Sequence, residues 1–224
     1  MFRKKLSGSD LLLIAANLFP VFGVWFLGWN ATEAFIVYAM ETMIVGILTI
    51  LKMLVVTFIK GKDEWYANGR TSRQSGFFFI FFFILHFGLF AAVQTTIFSQ
   101  TAGITPPNSS AMHFFFKWYT YINEDIAYML SGFIISYLAK NFIPFILKQE
   151  YKTTPLMIIM FQPYGRIFVQ QFTVILGSMF LSLGIDKAFI LVFALAKTAF
   201  ELFIDFNGLL KKATKDLKKQ SGEK

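Results

Sequence analysis

The chain has 224 residues, 56% of them hydrophobic and only 15% charged, with a formal net charge of +8. A soluble domain carries about 25% charged residues; here the deficit is concentrated in apolar runs of about 20 residues, the length that crosses ~30 Å of hydrocarbon, which argues for one membrane domain and against a water-soluble core. The absence of cysteine excludes disulfides, thiol catalysis and zinc–thiolate sites, and two histidines, His86 and His113, supply a metal or haem cage poorly, so no cofactor and no metal is expected.

Six candidate spans follow in chain order. The first runs from about Asp10, a plausible N-cap, to Trp29, with Asn17 and Pro20 inside it. It follows Arg3, Lys4 and Lys5 as a signal peptide would, but it is longer than a usual signal core and lacks a small-residue cleavage site, so a retained span is expected. The second covers Thr32–Ile59 and the third Gly76–Ser99. An outer loop follows, in which Pro106–Pro107 forbids a helix. The aromatic stretch His113–Tyr121 after it resembles an interfacial belt.

The fourth span is Glu124–Leu147, with Asn123 as N-cap and Pro144 as a kink near the inner end. Thr154-Pro155 reads as N-cap and first helical residue of a short interfacial or shallowly re-entrant helix ending near Pro163. The fifth and sixth spans are Gly165–Leu183 and Lys187–Phe206. The expected fold is therefore an all-α, polytopic bundle of about six spans with a short interfacial helix before the fifth. Residues 1–209 form one transmembrane domain, and 210–224 a basic cytoplasmic tail.

The charges support this layout. With the N-terminus inside, all but four of the 21 Lys and Arg residues fall on inner segments; Lys117 and Lys187 lie outside, and Lys52 and Lys197 lie within spans. The positive-inside rule then places both termini in the cytoplasm, in what would be a bacterial inner membrane. Because the cations flank the spans, the net charge does not signal nucleic acid. The 30 phenylalanines, including Phe77–Phe83 broken only by Ile80, suit a lipid-facing surface and are not read as a cofactor box.

Ionisable residues inside spans are costly and mark function or specific packing. Five are present: Glu41, Lys52, His86, Lys197 and Glu201. On the sixth span, eleven Phe, Leu, Ile and Val residues between 188 and 206 supply roughly −5 kcal/mol, against roughly +5 to +7 kcal/mol for Lys197 and Glu201 unpaired, so partners are needed. Glu41 and Lys52 are 11 residues apart and share a helix face. Depth matches Lys52 with Glu201 best and leaves Glu41 with Lys197 as the second pairing. His86, near mid-membrane, is available to bond one of these charges. A second cluster is expected at the cytosolic interface, where Tyr164 and Arg166 of the PYGR sequence face the depth-matched Asp205.

ANLFP (16–20), LGW (27–29), YAMETMIVGILTILKM (38–53), LH (85–86), PYGR (163–166), ILG (175–177) and KTAFE (197–201) resemble a family of uncharacterised bacterial integral membrane proteins, known only as a domain of unknown function. The resemblance covers nearly the whole chain. The family pattern has Asp four residues after the lysine and Trp-Glu-Asn around the glutamate; this chain has Glu201 and Met40-Glu41-Thr42, which keeps the charges but not an Asn contact. It implies no activity.

Three function classes fit. A structural or accessory membrane component, with charges that fix helix register, is the first expectation. A small proton- or ion-coupled transporter or channel is the alternative. A membrane enzyme acting on a lipid-like substrate comes third, since no nucleophile–base triad appears and catalytic residues are not expected. The bilayer is the expected partner, with a second copy or another membrane protein as a further option.

Overall fold

The computed structural model describes residues 8–67, 70–101, 103–165, 167–169, 183, 186–203 and 206–220. The protein is predominantly helical. Helix α1 covers Gly8–Phe26, α2 Ala31–Lys60 and α3 Gly76–Thr101. Short α4, His113–Lys117, leads through a 3-10 turn, Trp118–Tyr121, to α5, Glu124–Tyr137. A π turn, Leu138–Phe142, joins α5 to α6, Ile143–Leu147. Then come α7, Glu150–Thr153, and α8, Leu156–Phe161. Helix α9 is Asp186–Phe203 and α10 is Phe206–Gln220.

Three stretches are long and apolar enough to cross a membrane: Thr32–Lys60, Gly76–Gln100 and Glu124–Leu147. Two shorter apolar helices, Asp10–Phe26 and Ile190–Phe200, lie where the first and sixth spans were expected. The expected fifth span lies mostly outside the described residues.

The all-α expectation needs one correction. Between α2 and α3 the chain forms an antiparallel hairpin, β1 Lys62–Ala67 with β2 Arg70–Ser75, in the register Lys62↔Ser75 to Ala67↔Arg70. Gly61 makes this possible. It takes φ +73, which a side chain would strain, and its N–H closes α2 on the Thr57 carbonyl at 2.8 Å. Gly76 then returns its N–H to the Gly61 carbonyl at 2.9 Å, so α3 starts beside the end of α2. Trp65 anchors the hairpin by packing on the rings of Phe78, Phe79 and Phe82, with centroids 5.4, 5.6 and 5.3 Å away. The edge-on geometry at 5–6 Å is the favourable one for aromatic pairs.

Two cap assignments also change. Asp10 lies inside α1 rather than before it, and its carboxylate faces Lys140 at 3.7 Å. At α8, Pro155 is the cap residue and the Thr154 side chain does not cap; the Leu156 N–H is taken by the Asp63 carboxylate at 2.8 Å. An acid reaching in from β1 satisfies a free helix N–H and also matches the positive end of the helix. At α5 the expected cap holds: Asn123 accepts from the Ile126 N–H at 2.9 Å. Pro144 causes no break. The π turn precedes it and absorbs the missing donor and the ring's bulk.

Helix α2 is the hub. It touches α1, α3, α5, α7, α8 and α9. Along it lie two apolar cores. One gathers the first half of α2 with Val24, Trp29, Phe98, Phe114, Ile126, Met129, Ile190 and Ala194. The other gathers the second half with Phe79, Phe83, Phe87, Phe145 and the wholly buried run Leu156–Met160.

A buried ion pair as the candidate functional site

Glu41 sits ten residues into α2 and Lys197 eleven residues into α9. Each side chain is only 6% exposed, and the Lys197 ammonium donates directly to the Glu41 carboxylate. Two aromatic faces complete the lysine's surroundings, Tyr38 at 4.7 Å and Phe133 at 5.8 Å from Nζ to ring centroid. The ring quadrupole attracts a cation most strongly where water is excluded. The Tyr38 hydroxyl points to the Asn17 carbonyl at 3.5 Å, and Asn17 is buried. The pair thus ties α2 to α9, with rings from α2 and α5 around it and α1 alongside.

The local sequence explains why the two groups meet. Thr198 turns its hydroxyl back to the Ala194 carbonyl at 2.7 Å, so it needs no partner in the interface. Ala194 and Ile190, one and two turns earlier on the face of Lys197, are fully buried. Small and aliphatic residues on that face let α9 approach α2 closely enough for the lysine to reach Glu41.

Lys52 is buried on the same helix as Glu41, about 16 Å further along. Its Nζ lies over Phe145 at 5.2 Å and Tyr137 at 5.9 Å, and the exposed Glu150 interacts with it electrostatically. Among the described residues it has no hydrogen bond or ion pair. Of the two pairings expected, the one formed among the described residues is Glu41 with Lys197. The Glu201 side chain lies outside the described residues.

Among the described residues, His86 bonds Tyr164 rather than one of the charges. Its Nδ1 is 2.6 Å from the Tyr164 hydroxyl, and its ring stacks on Phe82 and meets Phe90 edge-on. Tyr164, expected at the cytosolic interface, is instead the partner of a mid-helix histidine, and Phe87, Phe90 and Phe161 surround it. Arg166 and Asp205, expected beside it, lie outside the described residues.

Sequence reasoning passed over three buried residues or mentioned them only in passing. Thr42 and Gln94 are buried, and the Thr42 hydroxyl and both Gln94 amide atoms have no hydrogen-bond partner among the described residues. Helices α2 and α3 pack together, with Gly46 against Phe87 and Gly76 against Thr57. Tyr38 is the third. Its position one turn before Thr42 and three residues before Glu41 was the available signal. No group of His, Asp and Glu able to hold a metal is present among the described residues.

A helical chain with three segments long and apolar enough to span a bilayer, one of them tied to α9 by a buried ion pair, defines the class only broadly. The chain belongs to a family of unknown function, DUF6498, whose profile matches residues 2–223. No curated protein matches it, and no solved structure does.

Proposed function

We propose that this chain is a multi-pass integral membrane protein of about six spans, a structural or accessory component of a bacterial cytoplasmic membrane with both termini inside. Glu41 and Lys197 hold its helices in register. The observation that carries the reading is the pair itself: both charges are buried, bonded to each other and walled by rings, an arrangement suited to fixing helices rather than to passing ions. The membrane part draws on α3. Phe77, Phe81, Leu85, Leu89, Val93 and Ile97 form an exposed row with a spacing of four, each 43% exposed or more. A continuous apolar row of that length suits lipid and is unfavourable in water.

A second reading, a small proton- or ion-coupled carrier, draws on the His86–Tyr164 bond and on the buried polar atoms of Thr42 and Gln94 that have no partner among the described residues. One variant separates the two. Glu41→Leu with Lys197→Met removes both charges together, so both readings expect it to fold. The structural reading expects it to resist carbonate extraction as the parent does, and expects parent and variant proteoliposomes to give the same pH-dye trace. Proton flux in the parent that the double variant lacks would overturn the structural reading in favour of the carrier.

A further inference from the structure

Helix α10 carries charge that the ion pair does not use. At 100° per residue, Leu209, Leu210, Ala213 and Leu217 fall within an arc of about 100°. Lys211, Lys212, Lys215, Lys218 and Lys219 take positions within about 120° on the opposite side. Helix α10 packs against α8 and β1, and these cover only one edge of the apolar arc. Leu210 and Thr214 are half-buried there, whereas Leu209, Ala213 and Leu217 form an exposed row one turn apart.

The neighbouring hairpin adds to the cationic surface. Lys62, Arg70 and Arg73 are exposed. The hairpin's acids are engaged within the fold: Asp63 takes the Leu156 N–H and faces Lys60 at 3.5 Å, and Glu64 accepts from the Tyr66 hydroxyl. Asp216 is the single acid of α10. Hairpin and helix together thus present a cationic platform with an uncovered leucine row at its side.

The two features together select the partner. An acidic protein surface or a nucleic acid would complement the lysines and leave the leucine row unexplained. Anionic lipid complements both. Leucines enter the boundary between headgroups and acyl chains, and lysine stems run alongside them to put ammonium groups at phosphate level. The platform also sits at the end of α2 and α9 where the apolar helices stop, which is where headgroups would lie. We propose that α10 and the β1–β2 hairpin form a docking surface for anionic phospholipid headgroups. The inference rests on the membrane reading above.

The chain has no cysteine, so Ala213→Cys introduces a unique labelling site in the middle of the exposed row without removing a leucine. The full chain, nitroxide-labelled there, is placed in nanodiscs of phosphatidylcholine alone or with phosphatidylglycerol added. The expected result is a label shielded from a water-soluble relaxation agent in the anionic discs and accessible in the neutral ones. High salt should reverse the shielding. Replacing the five α10 lysines by Gln should abolish it, each lysine being worth about five-fold in lipid partition. A label equally accessible in both discs, or shielding indifferent to the lysines, overturns the proposal, as does shielding by added RNA or acidic protein alone. A chain that fails to stay in any disc overturns the membrane reading instead, so the two failures are distinguishable.

Discussion

Lys197 and Lys52 are buried to the same degree, each residue 5% exposed, and each has two aromatic rings within 6 Å of its ammonium. Among the described residues, only Lys197 of the two has a carboxylate in contact. The difference follows position along α2. Lys197 is held in the core at the first half of that helix, against a glutamate too short to reach any surface. Lys52 lies eight residues, about 12 Å, from the Lys60 end, where its long stem and the field of Glu150 shorten the path to water. A lysine with a near exit can be held by rings alone, whereas one without an exit needs a counter-ion. The first core is accordingly locked by charge and the second by packing.

Five substitutions sharpen or break that contrast. The largest effect is expected for Lys197→Met or Glu41→Leu alone. Each strands a buried charge and should cost about 3–5 kcal/mol, read as a lowered midpoint in detergent thermal unfolding. A cost under about 1 kcal/mol would mean that the surviving charge finds water and that the first core is not sealed. Next is Gly23→Ala. The new Cβ would come within 1.8 Å of the Trp29 ring, so the ring must move, and a loss of about 1–3 kcal/mol is expected together with altered tryptophan fluorescence.

Tyr164→Phe removes one hydrogen bond to His86 in the second core and should cost about 1 kcal/mol. A loss as large as that of Lys197→Met would make this bond, not the ion pair, the principal polar tie. The smallest effect is expected for Lys52→Met, within about 1 kcal/mol in either direction, because lost ring contacts are offset by relief of burying a cation. If Lys52→Met destabilised as much as Lys197→Met, the distinction between the two lysines would fail.

Much of the fold was legible in the sequence because apolar run length is a strong signal. The bounds of α2, α3 and the α5–α6 stretch were read to within a residue or two, and Asn123 caps where a side-chain acceptor before Glu124 predicts. The hairpin was missed because its residues are polar and its strands short. Asn68-Gly69 between two six-residue runs was the available signal, the dipeptide that suits a two-residue hairpin turn. The α8 cap was not legible, since Asp63 comes from 93 residues away and only tertiary packing delivers it.

For the site, the residue types were legible, and Glu41–Lys197 was legible only as the second of two pairings. Depth along an ideal span says nothing about which faces two helices turn to each other. That choice is made by Ile190 and Ala194 on α9 and by the rings of Tyr38 and Phe133. Tyr164 was read as interfacial from its place before the fifth span, and it is the return of the chain after α8 that carries it to His86.

The central claim is that Glu41 and Lys197 act as one unit. A double-mutant cycle with Glu41→Leu, Lys197→Met and the combined variant, followed by thermal unfolding in a single detergent, tests it most directly. The expected coupling energy is about 5 kcal/mol or more, with the double variant within about 1 kcal/mol of the parent. Additive losses, with a double variant as unstable as the two single ones summed, would contradict it.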